Sequence, residues 1–257
     1  MKKMKFWSIL LLMSVSLPLL NSCGSDDDDD GAKPLSVSPA SVSMKYDESQ
    51  QLSASGATSW RSENEFVASV DQNGLVKGRH IGSTDIVVSN GSASGKCVVS
   101  ITPKYTYYDL PILNWGASET QIRNTETHTF ESKSGDNLIY SYTNGTVSAV
   151  VMYGFKNGVL ESVVQLTAKS HFVNAGYFLI ERFQPYGESD GMYIFGDSMD
   201  ANKAITVVGL DYMKLSSTTY TGAIYMKNST SSNVASRRSM EMIPEEIIIT
   251  AEKILNK

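Results

Sequence analysis

The sequence is poor in the residues that most often mark a chemical site. Its 257 residues include two cysteines and three histidines. Two cysteines are too few for a disulfide framework, and His80, His128 and His171 are too far apart in the chain for the short spacing of zinc ligands. Basic residues are also in deficit, because 22 Lys and Arg oppose 27 Asp and Glu. We therefore expect no nucleic-acid partner, since that binding needs a strongly positive surface.

Signals for cofactor and metal binding are missing as well. The glycine-rich loops that cradle phosphate groups do not occur. Asp197, Asp200 and Asn202 bring three oxygen donors together, but their spacing departs from the calcium-binding loop and its closing glutamate is absent. We predict no metal, no cofactor and no enzymatic activity. The least favoured alternative is an enzyme that acts on polysaccharide. It stays open because a pair of catalytic carboxylates need not leave a sequence motif.

The first 22 residues have the pattern of a secretory signal peptide. Three lysines precede an apolar run over residues 6 to 20, which is shorter than the roughly 20 residues that span a bilayer. The run ends in Leu20-Asn21-Ser22-Cys23, which resembles the bacterial lipobox. That resemblance implies cleavage before Cys23 and attachment of lipid to its sulfur. The expected partner is a membrane, which the protein would contact through this anchor.

Residues 23–33 are predicted to form an acidic tether. Cys23 is followed by Gly24-Ser25-Asp26-Asp27-Asp28-Asp29-Asp30, whose five carboxylates repel one another and favour an extended, solvated chain. This serine with its run of five aspartates, so close to a cysteine expected to be lipidated, resembles the surface-export signal of Bacteroidetes lipoproteins. The resemblance implies an outer-membrane lipoprotein displayed on the cell surface.

Residues 34–103 have the pattern of a β-sandwich. Short runs alternate polar with apolar residues and are separated by turn residues, without a helical period. The stretch from Trp60 to Gly78 resembles the signature of the bacterial immunoglobulin-like group 2 domain. The core candidates within it are Val67, Val70, Leu75 and Val76. Gly74 suits a turn with positive φ. Farther along the chain, Cys97 is expected to pack in the core. The resemblance implies a spacer at the cell surface or, less favoured, an adhesive module.

Residues 104–228 are predicted to form an α+β domain of two similar halves. Ser118 and Gln121 make a capping box at the start of a helix. Three strands follow, over residues 138–143, 147–155 and 159–167, with Asn144-Gly145 and Asn157-Gly158 expected at type I′ turns. A second helix over 172–183 and three further strands repeat this order. The predicted fold is therefore an immunoglobulin-like sandwich followed by tandem helix-plus-three-strand halves with an antiparallel sheet of about six strands.

Two resemblances concern this second domain. Residues 110–118 resemble the start of a C-terminal domain that accompanies group 2 modules in Bacteroides lipoproteins. The tandem arrangement is similar, in topology alone, to the β-lactamase-inhibitor-protein fold. The tail, residues 229–257, is expected to be loose and then to end in an amphipathic segment, which its three consecutive isoleucines allow to be either a helix or a strand.

Four aromatic residues near the boundary between the domains are the candidate binding residues. Tyr105, Tyr107, Tyr108 and Trp115 could form a stacking platform for sugars, or they could fill the joint between the domains, which is the favoured alternative. Ser198 lies in Asp197-Ser198-Met199, which resembles an O-glycosylation sequon of Bacteroides.

The sequence thus favours a non-enzymatic lipoprotein that displays its α+β domain for glycan or protein binding. A second hypothesis is an inhibitor or scaffold of an exported enzyme, as the topological similarity would allow.

Overall fold

The computed structural model describes residues 34–228 and 245–255. All of them belong to one compact unit that spans Lys33–Lys257. Among these described residues, no helix is both long enough and apolar enough to span a bilayer.

Seven strands form the expected sandwich in the first module. They are β1 Ser41–Lys45, β2 Ser49–Gln51, β3 Ser59–Ser62, β4 Ala68–Val70, β5 Leu75–Gly78, β6 Gly82–Ser89 and β7 Ser94–Thr102. One sheet has the order β1-β7-β6-β3, and the other has the order β2-β5-β4. The first sheet contains a parallel pair, β1 with β7, and its other pairs are antiparallel.

The core of the sandwich follows from the alternation of its strands. Cys97 and Val76 are fully buried, as predicted, but Leu75 is exposed. Adjacent residues of a strand point to opposite faces, so β5 can bury only one of Leu75 and Val76. Gly74 has the predicted positive φ, at 81°. A side chain there would also meet the indole ring of Trp60 at 2.9 Å, so the tryptophan needs this glycine.

The second module is built from two copies of one helix followed by four strands. The first copy comprises α1 Glu119–Thr125, β8 Thr129–Ser134, β9 Asn137–Asn144, β10 Val147–Lys156 and β11 Val159–Ala168. The second comprises α2 Phe172–Ile180, β12 Gln184–Ser189, β13 Met192–Gly196, β14 Thr206–Leu215 and β15 Thr218–Lys227. The strands form one antiparallel sheet in the order β12-β13-β14-β15-β11-β10-β9-β8. The predicted α+β class is confirmed, and each half has one strand more than the three expected.

The two additional strands, β8 and β12, lie at the two edges of the sheet. Their side chains are mostly exposed or half-buried. An edge strand that buries little apolar surface does not need the apolar alternation by which the central strands are recognised. The sequence therefore showed six strands where eight form.

The predicted capping box is present at the start of α1. The Ser118 hydroxyl accepts a hydrogen bond from the Gln121 backbone at 3.3 Å, and the Gln121 side chain accepts one from the Ser118 backbone at 2.8 Å. Both bonds satisfy amide groups that the first helical turn leaves free. The helix is thereby fixed where Ile122 enters the core.

The two predicted hairpin turns differ. Asn157 and Gly158 have φ values of 54° and 79°, which is the pattern of a type I′ turn. In the other hairpin, Asn144 pairs with Val147, so the loop is Gly145-Thr146 and not Asn144-Gly145. Only the glycine has positive φ there, at 60°, as a type II′ turn requires.

The eight-stranded sheet is covered on both faces. Helices α1 and α2 pack on one face over a core that includes Tyr153, Val163 and Tyr225. A third helix, α3 Glu245–Leu255, packs on the other face, where Ile247 and Ala251 are fully buried. The terminal segment is thus a helix, one of the two predicted alternatives, and it docks on its own domain.

Candidate functional site

Two of the four candidate aromatic residues pack into the second module, Tyr108 as a buried residue and Trp115 as a half-buried one. Tyr108 is buried, and its hydroxyl donates a hydrogen bond to the His171 carbonyl at 3.0 Å. Burial raises the pKa of Tyr108 to about 12. Trp115 packs against the same core and donates from its indole nitrogen to the Thr206 hydroxyl at 2.9 Å. These two residues therefore pack within the second module and not in the joint between the domains, which is the alternative that the sequence favours.

The other two candidates lie at the surface next to α2. Tyr105 stacks on Tyr177, with ring centroids 4.9 Å apart and an angle of 12° between the ring planes. Tyr107 lies beside Tyr105 at 6.1 Å and is exposed. The linker between the modules therefore contributes rings to a surface that α2 continues.

Helix α2 divides its residues between the core and this surface. Phe178 and Leu179 are buried against the sheet, whereas Val173 and Tyr177 are exposed to 62% and 48%. The exposed pair is four residues apart, so both lie on one face of the helix. Gly176 lies on the inner side, close enough that a side chain there would contact Leu210 of β14 at 3.8 Å.

A groove of about 370 Å³ lies between α2 and the edge of the sheet formed by β12, β13 and β14. We call it the aromatic groove and define it by six of its residues: Phe172, Val173, Tyr177, Ile180, Pro185 and Tyr193. Its volume is within the range of about 300–1,000 Å³ that small-molecule sites occupy. The lining is almost wholly apolar or aromatic.

More rings extend the groove along the sheet. Phe172 stacks on Tyr212 with centroids 4.2 Å apart and meets Tyr193 edge-on at 6.1 Å. Tyr193 and Tyr212 are each exposed to 46%. Lys169 places its ammonium group 5.6 Å above the Tyr212 ring. Tyr177, Tyr193 and Tyr212 were not predicted as site residues, and their only local signal is a tyrosine in an otherwise apolar strand or helix.

A polar pocket of about 340 Å³ adjoins the aromatic groove, because Ile180 and Pro185 line both. Its other wall belongs to the immunoglobulin-like module and includes Lys77, Arg79 and His80. His80 is buried, stacks on Phe66 at 4.0 Å and lies 2.6 Å from the Phe66 carbonyl oxygen. Burial lowers the pKa of His80 below its usual value, so the imidazole is favoured as neutral.

Glu181 of the second module contacts the linker through its carboxylate and the first module through its backbone carbonyl. The Glu181 side chain is fully buried and accepts hydrogen bonds from the backbones of Lys104 at 2.8 Å and Tyr105 at 3.2 Å. It also forms an ion pair with Arg182 at 2.5 Å. The Glu181 carbonyl accepts from the Ile81 backbone at 2.8 Å. These contacts fix the linker, and with it Tyr105, beside the aromatic groove.

The remaining predicted site residues do not converge on a site. Ser198 is half-buried in the loop after β13, where its hydroxyl accepts from the Asp200 backbone at 3.2 Å. The Asp197 carboxylate accepts from the backbones of Ile205 and Thr206. Within the described ranges, no group of three or more His, Cys, Asp and Glu side chains is placed to hold a metal ion. Cys23 and Ser25, Asp26, Asp27, Asp28, Asp29 and Asp30 lie outside the described residues.

One segment matches a catalytic pattern by sequence. Residues Gly187 to Gly191 read G-E-S-D-G, the pattern G-x-S-x-G of serine hydrolases. The nucleophile of those enzymes is carried by a turn from a strand into a helix. Here Asp190 and Gly191 form the turn of a hairpin between β12 and β13, and Ser189 pairs with Met192. The segment therefore has the backbone of a hairpin and not of a nucleophile elbow.

The chain contains a bacterial immunoglobulin-like domain of group 2. The family described as "Bacterial Ig-like domain (group 2)" matches residues 32–101, a range that includes strands β1 to β6 and most of β7. The resemblance inferred from Trp60 to Gly78 is thus confirmed. This match covers the first module alone.

A search of solved structures found the S-layer protein SbsC, domains 5-6, at 14% sequence identity. The match covers 78% of this chain and 86% of that chain, with a TM-score of 0.24. A TM-score this low shows neither a common overall fold nor a common function. No curated protein matches the chain.

Proposed function

We propose that the protein is a non-enzymatic lipoprotein of the outer membrane that is displayed at the cell surface and binds a glycan in the aromatic groove. The observation that carries the binding part is the cluster of half-exposed rings from α2, β13 and β14. A tyrosine ring offers a flat apolar face and a hydroxyl that donates and accepts hydrogen bonds. Sugars are complementary to it, since they combine an apolar C–H face with hydroxyl edges.

The arrangement of the modules supports display. Immunoglobulin-like group 2 domains suit a spacer, and Glu181 fixes the sandwich to the α+β domain. The anchor and the tether follow from Cys23 and the aspartates after it. Two acyl chains hold a protein to a bilayer far more firmly than one chain does.

We expect Cys23→Ser to lack the lipid and to leave the signal peptide uncleaved, so that the protein stays with the inner membrane through its apolar run and does not reach the outer membrane. The hydroxyl of serine cannot form the thioether to the lipid. Membrane fractionation and intact-mass measurement test this, with Cys97→Ala as a control that removes the other cysteine and keeps the anchor. A Cys23→Ser protein that reaches the outer membrane at unchanged mass contradicts the proposed anchor. For display, external protease should remove the wild-type protein from whole cells, and full protection contradicts it.

Glycan binding is expected to depend on the groove tyrosines. Tyr193→Ala should weaken binding on a glycan array about two- to tenfold, and adding Tyr177→Ala should weaken it further, because a stacked ring contributes roughly 0.5–1.5 kcal/mol. Isothermal titration with the whole chain, purified in detergent, gives the affinities. Phe130→Ala is the matched control, since Phe130 is an exposed ring of β8 in the other half of the domain.

Unchanged glycan affinity in the double variant contradicts the assignment of the groove. The inhibitor hypothesis would be favoured over glycan binding if the wild-type protein binds a purified exported hydrolase and no glycan, and if the double variant loses the binding of the hydrolase.

A further inference from the structure

The surroundings of the aromatic groove are richer in free cations than the acidic composition suggests. Arg79 lines the adjoining polar pocket and is half-buried, with one guanidinium nitrogen 3.9 Å from the Met199 sulfur. Lys104 lies 5.7 Å over the Tyr105 ring, and Lys169 lies 5.6 Å over the Tyr212 ring. All three cations are next to rings or pocket walls that belong to the candidate site.

None of these three cations has a carboxylate within 4.0 Å in the part of the chain that the structure describes. The neighbouring cations are neutralised by acids: Lys77 pairs with Asp47 at 2.8 Å, and Arg182 pairs with the buried Glu181. Among the described residues, Arg79, Lys104 and Lys169 are therefore cations without an acidic partner that lie in the adjoining pocket or over rings beside the groove. The exposed acid Glu188 of β12, opposite Tyr193 in the sheet register, is the negative charge on that wall.

We propose that the ligand of the groove is an anionic polysaccharide, whose carboxylate or sulfate groups are bound by Arg79, Lys104 and Lys169 while its sugar rings stack on Tyr177 and Tyr193. This inference rests on the proposed glycan-binding function. An arginine guanidinium donates two parallel hydrogen bonds to a carboxylate or sulfate, which a neutral sugar cannot accept in the same way.

The two cavities together suit a polysaccharide in which apolar sugar faces alternate with acidic substituents. The aromatic groove supplies ring faces, and the polar pocket that shares Ile180 and Pro185 with it supplies the Arg79 guanidinium. A polymer that follows both would place sugar faces on the tyrosines and an acidic substituent at the arginine. Lys104 holds its ammonium group over Tyr105, which stacks on Tyr177, and Lys169 holds its own over Tyr212, which stacks on Phe172, so further acidic groups of the polymer would meet a cation beside each of these two groove residues.

The test compares each anionic polymer with its neutral counterpart, using the whole chain in detergent. The probes are polygalacturonate against the same polymer fully methyl-esterified, and dextran sulfate against dextran, which separates carboxylate from sulfate. We expect at least tenfold tighter binding of one or both anionic polymers, weakening as sodium chloride is raised because salt screens the charges.

A triple variant, Arg79→Gln with Lys104→Gln and Lys169→Gln, removes the three proposed ligand-binding cations. Its affinity for the anionic polymer should fall at least tenfold. Its control removes three exposed cations that already have acidic partners, through Arg61→Gln, Lys96→Gln and Lys133→Gln, and thus changes the net charge equally. The control should bind within twofold of the wild type. Arg79→Lys in the wild-type background should retain part of the affinity.

Equal affinity of the wild type for charged and neutral polymers overturns the proposal, as does an equal loss in the two triple variants. Neutral-polymer binding that still requires Tyr177 and Tyr193 would keep the groove as a glycan site and reject the anionic ligand. Absence of binding to every polymer would reject both.

Discussion

Replacing Ile247 with aspartate is expected to lower the free energy of unfolding by about 3 kcal/mol or more. Ile247 is fully buried between α3 and the sheet, in a cluster that includes Ile139, Val150 and Ile224. Truncating a buried isoleucine costs about 2–5 kcal/mol, and the new carboxylate would also lose its hydration there. Urea denaturation followed by circular dichroism gives the change.

Ile249→Asp is the matched control, because Ile249 lies on the same helix two residues later and is 57% exposed. Both substitutions introduce the same charge near the start of α3, so helix propensity and the helix dipole affect them similarly. We expect a change of about 0.5 kcal/mol or less for Ile249→Asp. If the two variants are equally stable, α3 is not docked on the sheet, and its apolar face is free for a partner.

Replacing Glu181 with alanine is expected to have a comparable effect, of about 3–5 kcal/mol. The substitution removes the acceptor for the Lys104 and Tyr105 backbones and leaves the half-buried Arg182 without its counterion. Breaking one side of a buried ion pair costs more than exchanging the whole pair for apolar residues. We therefore expect Glu181→Leu combined with Arg182→Leu to be more stable than Glu181→Ala alone.

Limited proteolysis distinguishes loss of the joint from general unfolding. In Glu181→Ala, cleavage should become fast within residues 103–108, because the linker backbone loses its acceptor. Glu188→Ala removes an exposed glutamate from the same domain and should leave both cleavage and stability unchanged. Wild-type stability and cleavage in Glu181→Ala would show that the carboxylate does not fix the two modules together.

The features predicted correctly are those that short stretches of sequence determine. The capping box at Ser118 and the turn at Asn157-Gly158 depend on residues within a few positions of one another. Cys97 lies in an apolar run typical of a buried strand. In the first two cases the local backbone needs the residue types that are present, and in the third the apolar side chains favour a strand with a buried face.

The candidate site was predicted only in part because it is assembled from distant segments. Tyr105 comes from the linker, Tyr177 from α2, and Tyr193 and Tyr212 from two strands. Their proximity follows from the strand order of the sheet, which no local pattern encodes. Tyr107 and Tyr108 are neighbours in sequence, yet one is exposed and the other is buried. Composition alone could not separate them.

The two outer strands of the eight-stranded sheet affect how copies of the protein behave when they are crowded together. Each contains a bulge, between Phe130 and Ser132 in β8 and between Pro185 and Gly187 in β12. Lys133 and Glu188 add charge, and Pro185 has no amide hydrogen to donate. Bulges, charges and proline at an unpaired edge prevent another chain from adding to the sheet. Copies at high local concentration are therefore protected from associating through hydrogen bonds between their edge strands.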